Sequence, residues 1–360
     1  MGKRTKRIFR YVIGGLVILA IIGTILPLLA LDYWFIRLFD FPQIQFAIVT
    51  FALVVAYALS YDVRRWAWGT VGVVLIGCFA LQIWRVYTYI PLLNEEVKEV
   101  TDISSPSVRL MTYNVFQDNE NYGKAAAIIN NAQPEVLLLT EVNKTWLSKL
   151  SSTLQTFPYK VEVPLDNTYG MALYSKKPLL DTAVRYLVDD SIPSIEAKIS
   201  VGSNKVQLFA IHPTPPMPQE NPMSTDRDAE IMQTARQARL SILPVIVMGD
   251  FNDVAWSHTS RLFQRTSGLL DPRIGRGLYS TYHAQYPLFR WPLDHFFVDE
   301  EFTIGRIDKL EAGGSDHFPI AITLHYEPNN GNVQWYPYDQ EDLEDEQEII
   351  DRLENDMIDF

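Results

Sequence analysis

The chain has a single cysteine in 360 residues, Cys78, so no intrachain disulfide can hold its fold together. Basic residues are scarce: 31 Lys and Arg stand against 43 Asp and Glu, a formal net charge of -12. That excess is concentrated. Residues 327–360 carry twelve acids and one base, Arg352, whereas Thr101 to Tyr326 carries 25 acids and 20 bases. The middle of the chain therefore lacks the broad basic field that holds polyanionic nucleic acid by charge alone. Internal repeats and low-complexity stretches are missing before the tail, which excludes a repeat architecture.

Long apolar runs are plentiful at the N-terminal end. Ile8–Leu31, Ile44–Tyr61 and Trp66–Trp84 are each long enough, as helices, to cross a hydrocarbon layer about 30 Å thick. Charges are confined to their flanks, at Arg10, Asp62 and Arg85, where a side chain can extend to the interface. Tyr11, Trp34, Trp66, Trp68, Trp84 and Tyr87 lie near the edges, at the level where aromatic rings settle among headgroups. No small-residue cleavage site follows the first run, so residues 1–93 read as three transmembrane helices rather than a leader followed by a hairpin. Lys3, Arg4, Lys6 and Arg7 precede the first run, and Arg64 and Arg65 lie between the second and third. The first connection carries only Arg37. This asymmetry puts the N-terminus and the second connection in the cytoplasm, and the rest of the chain on the extracytoplasmic side of the cell membrane.

Residues 94–107 are polar and end in Ser-Ser-Pro-Ser, the composition of a short exposed linker. Beyond it, short apolar or alternating runs predict strands at Val108–Val115, Glu135–Glu141, Met171–Tyr174, Ile195–Ile199, Lys205–Ile211, Pro244–Met248, His295–Val298 and Ile320–His325. Tyr122–Asn131 and Arg227–Leu243 read as helices. Sheets covered by helices follow, an α/β sandwich over residues 108–326. Residues 327–360 read as a flexible, solvated acidic tail with a weakly amphipathic stretch from Gln340.

Polar residues recur where these strands end: Asn114, Glu141, His212, Asp250 with Asn252, Asp294, and Asp316 with His317. Side chains so placed converge on one rim of a sheet while the apolar runs fix their positions. Taken singly, an Asn or Asp here serves as a turn or cap residue, and a His as an ordinary hydrogen-bonded one. Glu141 is harder to dismiss, because an ionised carboxylate leaving four apolar residues needs a cation, donors or water to offset its desolvation. Hydrolysis of a phosphate ester requires such a set: a divalent cation, hydrogen-bond donors, and a group that orients or deprotonates water. Arg227 could reach a phosphate but reads first as a capping or surface ion-pair residue, and Tyr282, His283 and Arg290, where a specificity loop could sit, read first as loop residues. His295, next to Asp294 in a strand, points to the opposite face and is left out of the set.

Together and in this order, these residues resemble the endonuclease/exonuclease/phosphatase superfamily over Val108 to Tyr326. The strongest elements are Gly-Asp-Phe-Asn at Gly249–Asn252 and Ser-Asp-His-Phe-Pro at Ser315–Pro319. Thr-Tyr-Asn-Val at Thr112–Val115, Gly-Met-Ala-Leu-Tyr-Ser at Gly170–Ser175 and Leu-Asp-His-Phe-Phe-Val at Leu293–Val298 support them. His-Pro-x-Pro-Pro at His212–Pro216, and Trp256-Ser257 after the Asp-Phe-Asn, look most like a bacterial membrane-anchored branch. The resemblance implies a four-layered α/β/β/α sandwich with the site at one edge. It implies Glu141 as principal ligand of Mg²⁺ or Mn²⁺, with Asn114 and Asp316 beside the cation. Asp250 then matches the residue that orients or deprotonates the attacking water, and Asn252 and His212 contact phosphate oxygens. His317 matches the catalytic histidine, and Asp294 the carboxylate that fixes its tautomer. Which of Asp250 and His317 handles the water proton stays open, as does the substrate: nucleic acid, a nucleotide or a phospholipid headgroup. The alternative is a noncatalytic, membrane-bound scaffold of the same fold.

Overall fold

In the computed structural model, residues 3–61, 65–91, 93–219, 221–332 and 337–358 are described. Asp62 and Arg64, used above for a flank and for the orientation, lie outside the described residues.

Alternating and fully apolar runs build eleven strands: β1 Ser107–Asn114, β2 Val136–Thr140, β3 Tyr159–Val163, β4 Met171–Ser175, β5 Leu180–Arg185, β6 Ser194–Val201, β7 Asn204–Ile211, β8 Val245–Asp250, β9 Asp294–Val298, β10 Phe302–Lys309 and β11 Ile320–Tyr326. They form two sheets, ordered β10-β11-β1-β2-β4-β3 and β5-β6-β7-β8-β9. Each has one parallel pair at its centre, β1 with β2 and β7 with β8, among antiparallel neighbours. Successive side chains point to opposite faces. Val108, Leu110, Val136 and Leu138 therefore meet Leu208, Ala210, Ile246 and Met248 between the sheets, in one fully buried cluster. Burying each such Val, Leu or Ile contributes about 1.5–3 kcal/mol.

The helices are α1 Lys3–Ile25, α2 Trp34–Arg37, α3 Gln43–Ser60, α4 Trp66–Val86, α5 Tyr122–Ala132, α6 Lys144–Lys149, α7 Ser151–Leu154, α8 Thr225–Arg239, α9 His258–Ser267 and α10 Gln340–Ile358. The outward residues of the first sheet, Met111, Tyr113, Leu137 and Leu139, pack on Ala125 and Ile129 of α5 and Trp146 of α6. Those of the second, Phe209, Ile211, Val245 and Val247, pack on Ile231 and Met232 of α8 and Phe263 of α9. The result is the expected four-layered α/β/β/α sandwich. All eight strands and both helices expected from the sequence are present, with ends shifted by a few residues.

Three segments, Arg7–Leu29, Gln43–Ser60 and Trp68–Tyr89, are helices long and apolar enough to cross a membrane. They point to membrane association. Their outward side chains, among them Leu19, Leu59 and Val73, are exposed.

Two expectations need correction. Residues 94–107 are not a free linker: Val97 lies in the inter-sheet core, and buried Glu96 accepts hydrogen bonds from Gln264 Nε2 (2.6 Å) and the Asp271 N–H (2.9 Å). Nor is the tail solvated throughout. Its helix α10 turns one face inward, placing Ile349 and Ile350 against α8 and α9. Glu346, 1 % exposed, takes Arg236 (2.9 Å) and Arg239 (2.6 Å), while Asp342 pairs with Arg265 (2.8 Å). The acids that made the tail look solvated meet arginines on the helices beneath, and those pairs depend on contacts remote in sequence.

Candidate active site

The topology gathers the polar strand ends on one rim. Asn114 ends β1, Glu141 follows β2, His212 follows β7, and Asp250 ends β8. Because β9 runs antiparallel to β8, its first residue, Asp294, lies directly opposite Asp250. β11 runs antiparallel to β1, so Asp316 and His317, just before it, reach the same rim.

Several backbone conformations here are sterically demanding. Gly249 has φ +148°, and a Cβ at that position would collide with the Ile211 carbonyl of β7, so only glycine lets β7 and β8 approach this closely. Glu141, Asn252 and Phe116 hold positive φ values of 59°, 49° and 57°. Non-glycine residues in this region cost about 1–3 kcal/mol each and recur at sites where function fixes the geometry.

Asn114 links the two halves of the site. Its Nδ2 donates to Glu141 Oε1 (2.8 Å) and to Asp250 Oδ2 (3.0 Å). Glu141 Oε2 also accepts the Gln117 N–H (3.1 Å), and Asp250 Oδ1 accepts the Asn252 N–H (3.0 Å). His317 Nε2 lies 3.5 Å from Asp250 Oδ2, and its Nδ1 lies 2.8 Å from Asp294 Oδ2. His212 Nε2 approaches Asp250 Oδ2 at 4.0 Å. Asn252 donates to the Pro213 carbonyl (2.9 Å), tying the loop after β8 to the proline-rich loop after β7. All eight residues singled out in the sequence thus lie at this rim.

Burial and pairing set the charges. Burial alone would raise the Asp250 carboxyl, but His317, then His212, Asn114 and the Asn252 N–H, bring it below the usual carboxylate range. His317 is the complement: burial disfavours its imidazolium, yet Asp250, Asp294 and Asp316 push it up to about 10. Burial lowers His212 and raises Asp294. Glu141 is raised to about 7 by burial, against the pull of Asn114 and His317.

Carboxylates so placed suit a cation. Asp250, Asp294 and His317 offer ligand atoms within 4.8 Å of one another, a spacing that suits a metal ion, but the bond between Asp294 and His317 and the imidazolium form of His317 leave its two ring nitrogens as donors rather than ligands. Glu141 and Asp316 line the open pocket, and Asp316 Oδ1 is buried with no hydrogen-bond partner among the described residues. A buried, unpartnered carboxylate oxygen beside a second carboxylate fits a hard divalent cation, which prefers oxygen ligands.

Some neighbours were missed. Tyr282, read as a loop residue, lies 4.9 Å from His317 between ring centroids with the rings tilted by 47°, and Tyr169 lies 5.6 Å from His212. Neither sits in a motif; they reach the site only through tertiary packing. Arg227 is no surface residue: it is buried, bonded to Asp228 (2.8 Å) and to the Asn252 carbonyl (3.1 Å), and so braces the loop after β8 from behind. His295 points away, to Arg273 (2.7 Å) and the Asp253 carbonyl (2.9 Å).

No curated protein matches the chain in sequence. Solved structures match its fold. A complex of D. rerio TDP2 with a single-strand DNA product is 17% identical, with a TM-score of 0.50 over 61% of this chain and 99% of that one. The human Nocturnin catalytic domain with bound sulfate is 14% identical, with a TM-score of 0.50 over 66% and 99%. An endonuclease/exonuclease/phosphatase family protein from Bacteroides thetaiotaomicron is 17% identical, with a TM-score of 0.50 over 62% and 99%. At these identities the likeness is one of fold. The family model described as "Endonuclease/Exonuclease/phosphatase family" matches residues 111–317, more than half of the sequence and all eight rim residues, so the chain belongs to that family.

Proposed function

We propose that this chain is a membrane-anchored, divalent-metal-dependent phosphoesterase whose catalytic domain faces away from the cytoplasm. The observation that carries the reading is the file of Asp294, His317 and Asp250, in which His317 lines the pocket, joined through Asn114 to Glu141. Asp250, flanked by two histidines, orients the attacking water and takes its proton. The His317 imidazolium, held by Asp294, offsets charge gathering on the phosphate oxygens. His212 and Asn252 hold those oxygens. Water then adds to phosphorus as the ester P–O bond breaks, and the leaving oxygen departs with its electron pair. Glu141, Asn114 and Asp316 would hold Mg²⁺ or Mn²⁺, which when bound polarises the phosphate for attack.

Membrane anchoring rests on the three long apolar helices, and the orientation on the basic residues at the N-terminus and in the second connection. The activity is tested with the full chain in detergent and bis(p-nitrophenyl) phosphate, reading p-nitrophenolate with Mg²⁺, with Mn²⁺ and with EDTA. Release only with metal supports the reading. No release with either metal, or equal release in EDTA, sinks it.

A further inference from the structure

The catalytic pocket is not closed by the α/β domain alone. It is a cavity of about 470 Å³, and one wall comes from the segment between the first two long apolar helices: Trp34, Leu38 and Phe41 line the same space as Glu141, His212, Asp316 and His317. Pro216, Met217 and Trp291 add further apolar surface. Among the described residues, no Lys or Arg lines it. A nucleic-acid or nucleotide site would present cations to the phosphates beyond the scissile one. Here the space beside the phosphate position is aromatic and aliphatic instead.

This wall is fixed to the domain. Arg37, 3 % exposed, pairs with Asp228 (2.9 Å) and donates to Ser224 (3.3 Å). The Trp34 N–H donates to the Pro222 carbonyl (2.9 Å), and Trp256 Nε1 to the Asp40 carbonyl (2.7 Å). Phe41 meets the Trp291 ring edge-on at 5.5 Å. The wall also continues into the apolar helices. Leu29, Leu31, Tyr33 and Phe35 are exposed along the path from the end of α1, and Leu38, 56 % exposed, brings that path to the pocket. Beside the start of α3, Gln45 Nε2 donates to the carbonyl of exposed Leu288 (2.8 Å), so an apolar rim borders the helices there too.

We propose that the Trp34–Phe41 segment is the specificity wall of this enzyme, and that its substrate is an amphiphilic phosphate ester presented from the bilayer. The apolar chain lies on Trp34, Leu38 and Phe41 while the phosphate reaches Asp250 and His317. This rests on the phosphoesterase reading and adds to it the class of group attached to the phosphate. Apolar burial against these side chains supplies the discrimination.

The test holds the reacting group constant and varies the tail. The full chain in detergent is assayed with Mg²⁺ on methyl, octyl and hexadecyl p-nitrophenyl phosphate, with a single-stranded oligodeoxynucleotide as comparison. The expected result is a kcat/KM for the octyl ester at least about tenfold above the methyl ester, which burial of about two methylenes already supplies. Leu38→Ser should collapse the octyl-to-methyl ratio toward one, and Leu38→Met should restore it, which separates lost apolar contact from misfolding. Equal kcat/KM for all three esters, or a higher value for the oligonucleotide, overturns the inference and leaves the phosphoesterase reading intact. No turnover of any substrate overturns both.

Discussion

Asp250 and Asp294 face each other across the β8–β9 pair, and His317 stands against both, with Nε2 3.5 Å from the first and Nδ1 2.8 Å from the second. Two strands and the segment before a third thus bring together three ionisable groups whose charges are consistent only as a set. Either carboxylate alone, buried this deeply, would be costly.

Removing one charge of that set while keeping its shape isolates its contribution. Asp294→Asn leaves a hydrogen-bonding group beside Nδ1 but no longer favours the imidazolium. The expected loss in kcat is about 100-fold or more, with KM within a few-fold. A change below about threefold in kcat would mean that Asp294 serves packing rather than His317.

The junction between the long apolar helices and the α/β domain is a second buried charge cluster, and its stability can be measured. Arg37→Met leaves Asp228 with Arg227 as its remaining cation (2.8 Å). The cost should fall near the lower end of the roughly 3–5 kcal/mol for breaking a buried pair. Arg306→Met, at an arginine side chain 71% exposed and paired with Asp308, should cost under about 1 kcal/mol. Equal thermal midpoints for the two variants would contradict a docked junction.

Glu230 on α8 offers a pH test away from the site. It is 0 % exposed, and both carboxylate oxygens lack a hydrogen-bond partner among the described residues. Burial, aided by Asp226, pushes it up to about 8 from an ordinary 4.5. The folded chain holds this proton where the unfolded chain has released it. Its stability is therefore undiminished below pH 4.5 and falls as pH rises toward about 8, by up to roughly 1.4 kcal/mol per pH unit. Glu230→Gln cannot ionise, so the midpoint of the variant relative to wild type should climb by several degrees between pH 5 and pH 8. A constant difference across that range would refute the assignment.

For the orientation, a reporter that functions only outside the cytoplasm, fused at the C-terminus, should be active, and one that functions only inside should be silent. The opposite pattern would overturn either the count of three crossings or the direction given by the basic residues.

What the sequence left unread has physical causes. The three strands it missed, β3, β5 and β10, are all edge strands of their sheets. β3 and β5 are largely exposed, and β10 turns outward along its second half. An edge strand buries too little to need the apolar run that marks a central one. β9 is also an edge, yet it was legible because it is buried throughout. All eight rim residues were legible because motifs at strand ends fix both residue type and direction. The pocket wall was not. Trp34 looked like an interfacial aromatic, and nothing local shows that Leu38 and Phe41 line the same pocket as His212 and His317. Tyr282 was invisible for the same reason. Glu346 shows the reverse error: a carboxylate counted as tail charge is buried against two arginines about 110 residues away.

Under the proposed function, Glu141 and His317 belong to one metal-dependent hydrolytic site, and every catalytic role assigned above depends on that. This is tested most directly by turnover of bis(p-nitrophenyl) phosphate across a Mg²⁺ titration for wild type, Glu141→Ala and His317→Ala. Glu141→Ala should shift half-activation to at least about tenfold higher Mg²⁺. His317→Ala should lower kcat by about 10²–10⁴-fold with half-activation much less changed. Turnover indifferent to both substitutions, or undiminished in EDTA, would contradict that assignment.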